Sequence, residues 1–273
     1  MRRLLHIERI KLLNYNPFRI VLGLYLLFFA LGLIIYPAMD KEIPVISLSD
    51  LFRFPDVWLF LTWFTEPSNL LLAMVVIMIT TMEFSNHTFK TQLIFGLSRK
   101  ELLIQKVLLI VALSAFATLL LGATSTIMGL IYSYKLTFKI ALENSWIMAF
   151  YFLSAFSYMS IGLLVALLIK NTALSLMTFL ALRTFVDPVL FLLLRKYELK
   201  WFLPMRTTTR LTPLPDLIEL FQRKMESNEP IDEAALEIMP EGLSPGLNLF
   251  MVLIYISLAL FFSYRLLQRR RLT

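Results

Sequence analysis

The sequence predicts an all-α integral membrane protein, and three observations point to that fold class. Hydrophobic residues make up 58% of the 273-residue chain, and its mean hydropathy is +0.74. Only 16% of the residues are charged, and they lie between long apolar runs, unlike the mixed surface of a soluble domain. A pI near 9.6 would suggest nucleic-acid binding in a soluble chain. Here the basic residues follow the pattern that orients membrane proteins, so no nucleic-acid partner is expected.

Six apolar segments have about the length that a bilayer crossing requires. A hydrocarbon core of roughly 30 Å takes about 20 helical residues, within a range of about 17–25. The second segment is the shortest. It follows an aromatic stretch around Trp58 and Trp63 that suits the membrane–water interface on the outer side. The predicted spans are residues 20–36, 67–82, 107–134, 145–169, 171–194 and 246–264.

The basic residues predict the orientation of these spans. If both termini are cytoplasmic, the cytoplasmic parts are 1–19, 83–106, residue 170 and 265–273. These parts hold 14 of the 26 Lys and Arg residues but only three of the 19 acidic residues. Positive charge on the side that is not translocated is the expected bias. An even number of spans with both ends in the cytoplasm follows.

Residues 1–19 predict an amphipathic helix that lies in the cytoplasmic interface. Leu4, Ile7 and Leu12 are interleaved with basic residues, and Pro17 then turns the chain into the first span. A solvated basic leader that only sets orientation is the alternative. The first apolar run can span the bilayer and lacks a small-residue cleavage site, so we expect an uncleaved helix and not a signal peptide.

A polar, basic stretch, residues 83–106, separates the second and third spans. Over 83–98, apolar side chains recur at spacings of three to five, which predicts a short helix along the membrane surface. Gly96 permits a sharp change of direction, and Ser98 with Glu101 forms the capping-box pattern of a new helix. An ordinary amphipathic loop is the alternative. The positions on the stripe are Phe84, Thr88, Phe89, Leu93 and Leu97.

These residues resemble a motif of the permease subunit of ABC-2 type exporters. In that family a glutamate closes the second span, a threonine follows within a short cytoplasmic coupling helix, and Ser-Arg and a lysine lead into the third span. The general layout is also similar, with an amphipathic N-terminal helix, six spans and a large outer segment. His87 and Gly96 depart from the glycine and proline that many members carry. The matching residues here are Glu83, Thr88, Leu93, Ser98, Arg99 and Lys106.

The resemblance implies a transport subunit of a bacterial cytoplasmic (inner) membrane. Two permeases, either copies or paralogues, would pair in the bilayer above two separate cytoplasmic ABC ATPase subunits. The coupling helix would fit a groove on the ATPase, with Glu83, Arg99 and Lys106 holding its ends, although Lys106 is equally well explained as a structural residue. The eight glycines include no G-x-x-x-x-G-K-[ST] motif, so ATP-Mg is expected on the partner and no ATPase site in this chain.

Other chemistry has little support in the sequence. The chain has no cysteine, and its two histidines, His6 and His87, lie far apart, so no catalytic residue, cofactor or metal site is predicted. Arg183 and Asp187 stand at i and i+4 in the fifth predicted span. They form either a polar gate in a substrate path or a structural pair that neutralises itself.

Residues 195–245 predict an outer segment of short helices between the fifth and sixth spans, with a D-x-x-E helix start at Asp216. It would bind substrate, bind an envelope partner or shield the outer mouth of the permease pair.

Two other functions compete with the exporter. One is a membrane scaffold or assembly subunit that moves no substrate. The other is an ATP-independent secondary transporter, which the scarcity of intramembrane charge disfavours.

Overall fold

The chain forms a bundle of apolar helices. The computed structural model describes residues 16–39, 51–133, 137–213 and 243–269, and the regular elements in these ranges are all helical. The prediction of an all-α fold is confirmed for these ranges. Five helical stretches within the described ranges are long and apolar enough to cross a membrane, namely Asp56–Ser85, Arg99–Tyr132, Lys139–Ile169, Thr172–Leu193 and Pro245–Gln268.

A further apolar helix precedes these five, and the six-span count stays a prediction that depends on it. We number the α-helices of the described ranges in chain order. They are α1 (Asn16–Met39), α2 (Asp56–Thr65), α3 (Asn69–Ser85), α4 (Thr88–Ile94), α5 (Arg99–Tyr132), α6 (Phe138–Leu142), α7 (Ile147–Ile169), α8 (Thr172–Ala181), α9 (Asp187–Leu193), α10 (Pro204–Thr209) and α11 (Pro245–Arg269).

The helical stretch that contains the second predicted span is longer than that span. It begins at Asp56, whereas the predicted span begins at Pro67. A 3₁₀ turn, Glu66–Ser68, joins α2 to α3, and Pro67 stands in its first positions. Proline is tolerated there because its fixed φ suits a helical start and its missing N–H is not needed. Trp58, expected at the outer interface, is buried within the chain and donates from its indole N–H to the Ala141 carbonyl at 2.9 Å.

Helix α7 lies at the centre of the bundle and packs most extensively along α3, with further contacts to α5 and α11. Gly162 stands at the crossing of α7 and α3. A Cβ atom at this position would lie 3.3 Å from the Ala73 carbonyl oxygen and 3.3 Å from the Ile77 side chain. Small residues at such crossings let helix backbones approach closely in membrane proteins.

One end of the bundle collects the segments that the charge pattern assigned to the cytoplasm. The ammonium group of Lys170 lies 5.2 Å from the centre of the Phe84 ring. The guanidinium of Arg99 donates to the Leu267 carbonyl near the end of α11 at 3.0 Å. Residues 83–106, residue 170 and the last turn of α11 are therefore neighbours, and the side of the membrane that they face stays a prediction.

Two sequence predictions fall largely outside the described residues. The N-terminal interfacial helix, 1–19, is described only from Asn16, where α1 begins. The outer segment, 195–245, is described up to residue 213 and again from residue 243. Its described part contains a 3₁₀ helix, Glu198–Phe202, followed by α10, while the helix start at Asp216 lies outside the described ranges.

The crossing at Gly162 gives a test of the packing. We expect Gly162→Leu to lower the free energy of unfolding by about 1–3 kcal/mol, because the new side chain must displace the Ala73 backbone. Gly23→Leu is the matched control, since a Cβ atom there meets nothing within 4 Å. Thermal unfolding of both variants in detergent measures the difference, and equal unfolding temperatures would contradict this packing.

Candidate functional site

The stretch between the second and third long helices is divided into three parts by its backbone. Helix α3 continues to Ser85, and His87, in the left-handed region at φ 53°, separates it from α4. Gly96 follows with φ 87°, the conformation that glycine adopts without steric cost. The single surface helix predicted over 83–98 is thus a helix end, a seven-residue helix and a turn.

The capping box predicted at Ser98 is confirmed. Its side chain accepts a hydrogen bond from the Glu101 backbone N–H at 3.2 Å, and its own N–H donates to the Glu101 carboxylate at 2.7 Å. These two bonds satisfy backbone donors that the first turn of α5 would otherwise leave without acceptors. The third long helix therefore starts at a defined residue, directly after the turn at Gly96.

Glu83 and Lys106 form an ion pair inside the protein. The Lys106 ammonium lies 2.8 Å from the Glu83 carboxylate, and the side chains are 1% and 0% exposed. Glu83 lies in the last turn of α3 and Lys106 in the second turn of α5, so the contact joins the ends of these helices. Both residues were predicted to hold helix ends, and the structure brings them together in one contact.

The ring of Phe89 covers this ion pair. Its centre lies 5.9 Å from the Lys106 ammonium, within range of a cation–π attraction, and 4.8 Å from the centre of the Phe84 ring. Phe89 is 2% exposed. The apolar stripe predicted to enter a groove on a partner therefore turns its central side chain into the chain's own bundle. Its other members, Phe84, Thr88, Leu93 and Leu97, are half-buried.

The exposed apolar residues of this region are two that the sequence analysis did not single out. Ile94 ends α4 and Phe95 follows it, and they are 75% and 78% exposed. Lys90 and Thr91 on the same helix are also exposed. The sequence does carry a signal for this exposure. Ile94 and Phe95 follow Leu93 directly, so they do not share the spacing of three to five residues that places the stripe on one face of the helix. Helix α4 therefore buries the stripe and presents this adjacent pair.

Arg99, a predicted site residue, joins two long helices. Its guanidinium donates to the carbonyls of Leu267 and Gln268, which lie in the last turn of α11. Carbonyls in the last turn of a helix lack partners within the helix and carry partial negative charge, so a cation there is stabilising. The start of α5 is thereby tied to the end of α11.

A second polar centre lies toward the opposite end of the bundle. Glu66, in the 3₁₀ turn between α2 and α3, is buried and accepts a hydrogen bond from the Tyr158 hydroxyl at 2.5 Å. The Arg183 guanidinium approaches the same carboxylate to 4.0 Å, and the Tyr158 hydroxyl also lies 2.9 Å from the Thr209 hydroxyl. Glu66 stands one residue before the second predicted span, 67–82, and was therefore not predicted to be an intramembrane charge.

Arg183 and Asp187 line a cavity of about 480 Å³ together with Arg206 and Arg210 of the outer segment. The π-helical turn Leu182–Val186 lies between α8 and α9 and changes the i, i+4 geometry that the sequence analysis assumed for Arg183 and Asp187. Burial lowers the pKa of Arg210, and the neighbouring charge of Arg206 lowers it further. Like charges are therefore held close together beside this cavity.

No protein-family model matches the sequence, and no curated protein matches it. The resemblance to ABC-2 permeases thus depends on the motif around Glu83–Lys106 and on the helical layout.

The buried ion pair predicts a clear pattern of stabilities. We expect Lys106→Met to lower the free energy of unfolding by about 3–5 kcal/mol, because it leaves a buried carboxylate without its cation. The double variant Glu83→Leu/Lys106→Met should recover most of this loss, since it removes both charges. Thermal or denaturant unfolding in detergent measures these values.

Lys90→Met is the matched control for this series, because Lys90 is an exposed lysine on α4. Its effect should stay within about 0.5 kcal/mol, as for most surface substitutions. A double variant as unstable as Lys106→Met alone would show that the loss has a cause other than the unpaired charge.

Proposed function

We propose that this chain is the membrane-spanning permease subunit of an ATP-driven ABC-2 type exporter. It works as a pair with a second permease, copy or paralogue, and receives energy from a separate cytoplasmic ATPase. The observation that carries the proposal is the arrangement of α4. This short helix is held against the end of the bundle by buried contacts, while Ile94 and Phe95 project from it.

The contacts of α4 suit a coupling element because they connect it to two long helices. Phe89 seals α4 over the ion pair between Glu83 of α3 and Lys106 of α5. A displacement of α4 would then move the ends of both helices together, as in the rigid-body transitions that switch packed proteins between two states. The absence of a phosphate-binding glycine motif from the sequence means that such a displacement needs an external source of ATP energy.

The docking surface in this proposal is Ile94 and Phe95 and not the stripe predicted from the sequence. Two adjacent apolar side chains fit a small hydrophobic groove on the ATPase. Lys90 and Lys100 are exposed close to this pair in sequence, which favours a groove with an acidic rim. ATP-Mg binds the ATPase in this scheme, and the permease itself holds no cofactor.

The charge pattern supports the orientation that this function requires. Residues 83–106, Lys170 and the last turn of α11, which the charge pattern assigned to one side, meet at the end of the bundle that carries α4. With that end in the cytoplasm, the chain follows the positive-inside bias of a bacterial inner-membrane protein with both termini cytoplasmic.

One observation favours an ATP-independent secondary transporter as the second candidate. The sequence predicted one pair of intramembrane charges, Arg183 and Asp187. In the structure Arg183 also approaches the buried Glu66, which accepts a hydrogen bond from Tyr158, so the polar network is wider than that pair. Buried carboxylates within membrane spans often belong to ion or proton pathways. A scaffold that moves no substrate would use the same exposed surface on α4 and would have no need of this network.

The exporter proposal is tested by the double variant Ile94→Asp/Phe95→Asp. We expect it to abolish co-purification with the partner ABC ATPase, and to abolish the permease-dependent change in ATPase activity, because two charges would have to enter an apolar groove. The double variant Tyr197→Asp/Leu199→Asp is the matched control. Its two apolar side chains are similarly exposed but lie beyond α9, at the opposite end of the bundle.

Both variants should keep the unfolding temperature of the wild type, since all four positions are exposed. Unchanged ATPase association in Ile94→Asp/Phe95→Asp would exclude this docking surface. Substrate movement that continues in proteoliposomes without ATPase or ATP would favour the secondary transporter.

A further inference from the structure

Three arginines lie around one cavity in the half of the bundle away from the Glu83–Lys106 ion pair. The cavity, of about 480 Å³, is lined by Arg183, Arg206 and Arg210, and Asp187 is the acidic residue among its lining side chains. Glu66 lies behind Arg183 at 4.0 Å. Even when both carboxylates are counted against the arginines, the described residues around the cavity keep a surplus of positive charge.

Two of these arginines are held in place by aromatic rings. The Arg206 guanidinium lies 3.4 Å from the centre of the Phe191 ring and 5.5 Å from that of Trp201. The Arg210 guanidinium lies 3.9 Å from the centre of the Trp201 ring. Stacking on an aromatic face leaves the planar edge of a guanidinium available for two parallel hydrogen bonds to an oxyanion. The cations are therefore ordered before any ligand arrives.

The region also has more hydrogen-bond donors than acceptors. The Nε groups of Arg183 and Arg206 are buried and donate to no acceptor in the part of the chain that the structure describes. Buried donors without acceptors are costly and uncommon in proteins. An anion in the cavity would supply oxygen acceptors to this cluster of guanidinium groups.

An apolar surface continues from the cavity along one side of the helical stretch Thr172–Leu193. Leu192 lines the cavity and is also largely exposed, and Phe185 and Val189 precede it at spacings of four and three residues. Only 11% of the residues in the most apolar part of this stretch are buried within the chain. A ligand with its anionic group in the cavity would thus meet a hydrocarbon-compatible surface next to it.

We propose that this cavity binds the phosphate headgroup of an anionic membrane lipid, with its acyl chains along the apolar face through Phe185, Val189 and Leu192. A phosphate has several oxygens for bidentate contacts with more than one arginine. The adjoining apolar face distinguishes an amphiphile from a free anion. This binding requires neither ATP nor an ATPase, so it stands whether or not the exporter proposal holds.

The test is native mass spectrometry of the purified chain in detergent, with phosphatidylglycerol or phosphatidylcholine of identical acyl chains added. We expect the wild type to retain phosphatidylglycerol about tenfold better than phosphatidylcholine. Both lipids carry the phosphate, but the choline cation of phosphatidylcholine is repelled by the surplus positive charge around the cavity, a difference worth roughly one decade of affinity. Arg206→Gln/Arg210→Gln should lose this preference, because it removes that surplus.

The control Lys139→Gln/Lys196→Gln removes the same charge from two exposed positions at the same end of the bundle and should keep the preference. If the glutamine variant does not fold, Arg206→Lys/Arg210→Lys decides the matter. It keeps both charges but lacks the planar fork that binds two phosphate oxygens, so the retention of phosphatidylglycerol should fall by several-fold at an unchanged unfolding temperature.

Inorganic phosphate alone is the third ligand tested. The chain has four tryptophans, so the readout is the change in tryptophan fluorescence that Trp201→Phe abolishes. Arginine-dependent binding of phosphate without any preference for phosphatidylglycerol would overturn the lipid as occupant. Equal retention of the two lipids by the wild type would also overturn the proposal, as would a glutamine variant or a lysine variant that folds and retains phosphatidylglycerol like the wild type.

Discussion

The Glu83–Lys106 ion pair constrains the end of the bundle on which the proposed function depends. A carboxylate and an ammonium that are both removed from water lose several kcal/mol of hydration each, and only close contact in a dry setting offsets that loss. The contact is 2.8 Å, and Phe89 of α4 closes over it. The last turn of α3, the second turn of α5 and the inner face of α4 must therefore keep their relative positions. Arg99 extends the same constraint to α11.

This constraint explains why α4 shows one particular face to its surroundings. Phe89 is the side chain that can cover the ion pair, so the apolar stripe of α4 is used within the chain. Ile94 and Phe95 then remain outside at the end of the helix, where the turn at Gly96 reverses the chain. An amphipathic pattern by itself does not say whether its apolar stripe meets the same chain or another one. Here the buried charges beneath the helix decide it.

Two polar centres stand at the two ends of one helical segment. Glu66 and Glu83 flank α3, about 25 Å apart at 1.5 Å per residue. Near Glu66 the hydroxyl of Tyr158 and the guanidinium of Arg183 complete a network that continues into the arginine-lined cavity. Under the proposed function, a movement imposed on α4 at one end would reach this network through a single packed helix. The close crossing of α3 and α7 at Gly162 makes that helix part of the rigid core.

Much of the architecture was determined by the sequence alone, because hydropathy and local capping act over short stretches of chain. The all-α membrane class, the start of α5 at its capping box and the turn at Gly96 follow from such local signals. Only the tertiary structure decided three other features. These are the direction in which α4 turns its apolar stripe, the contact of Glu83 with Lys106 and the approach of Arg183 to Glu66. Each of these joins residues far apart in the sequence, and the free-energy cost of burying a charge or an aromatic ring selects the arrangement only when the helices have packed.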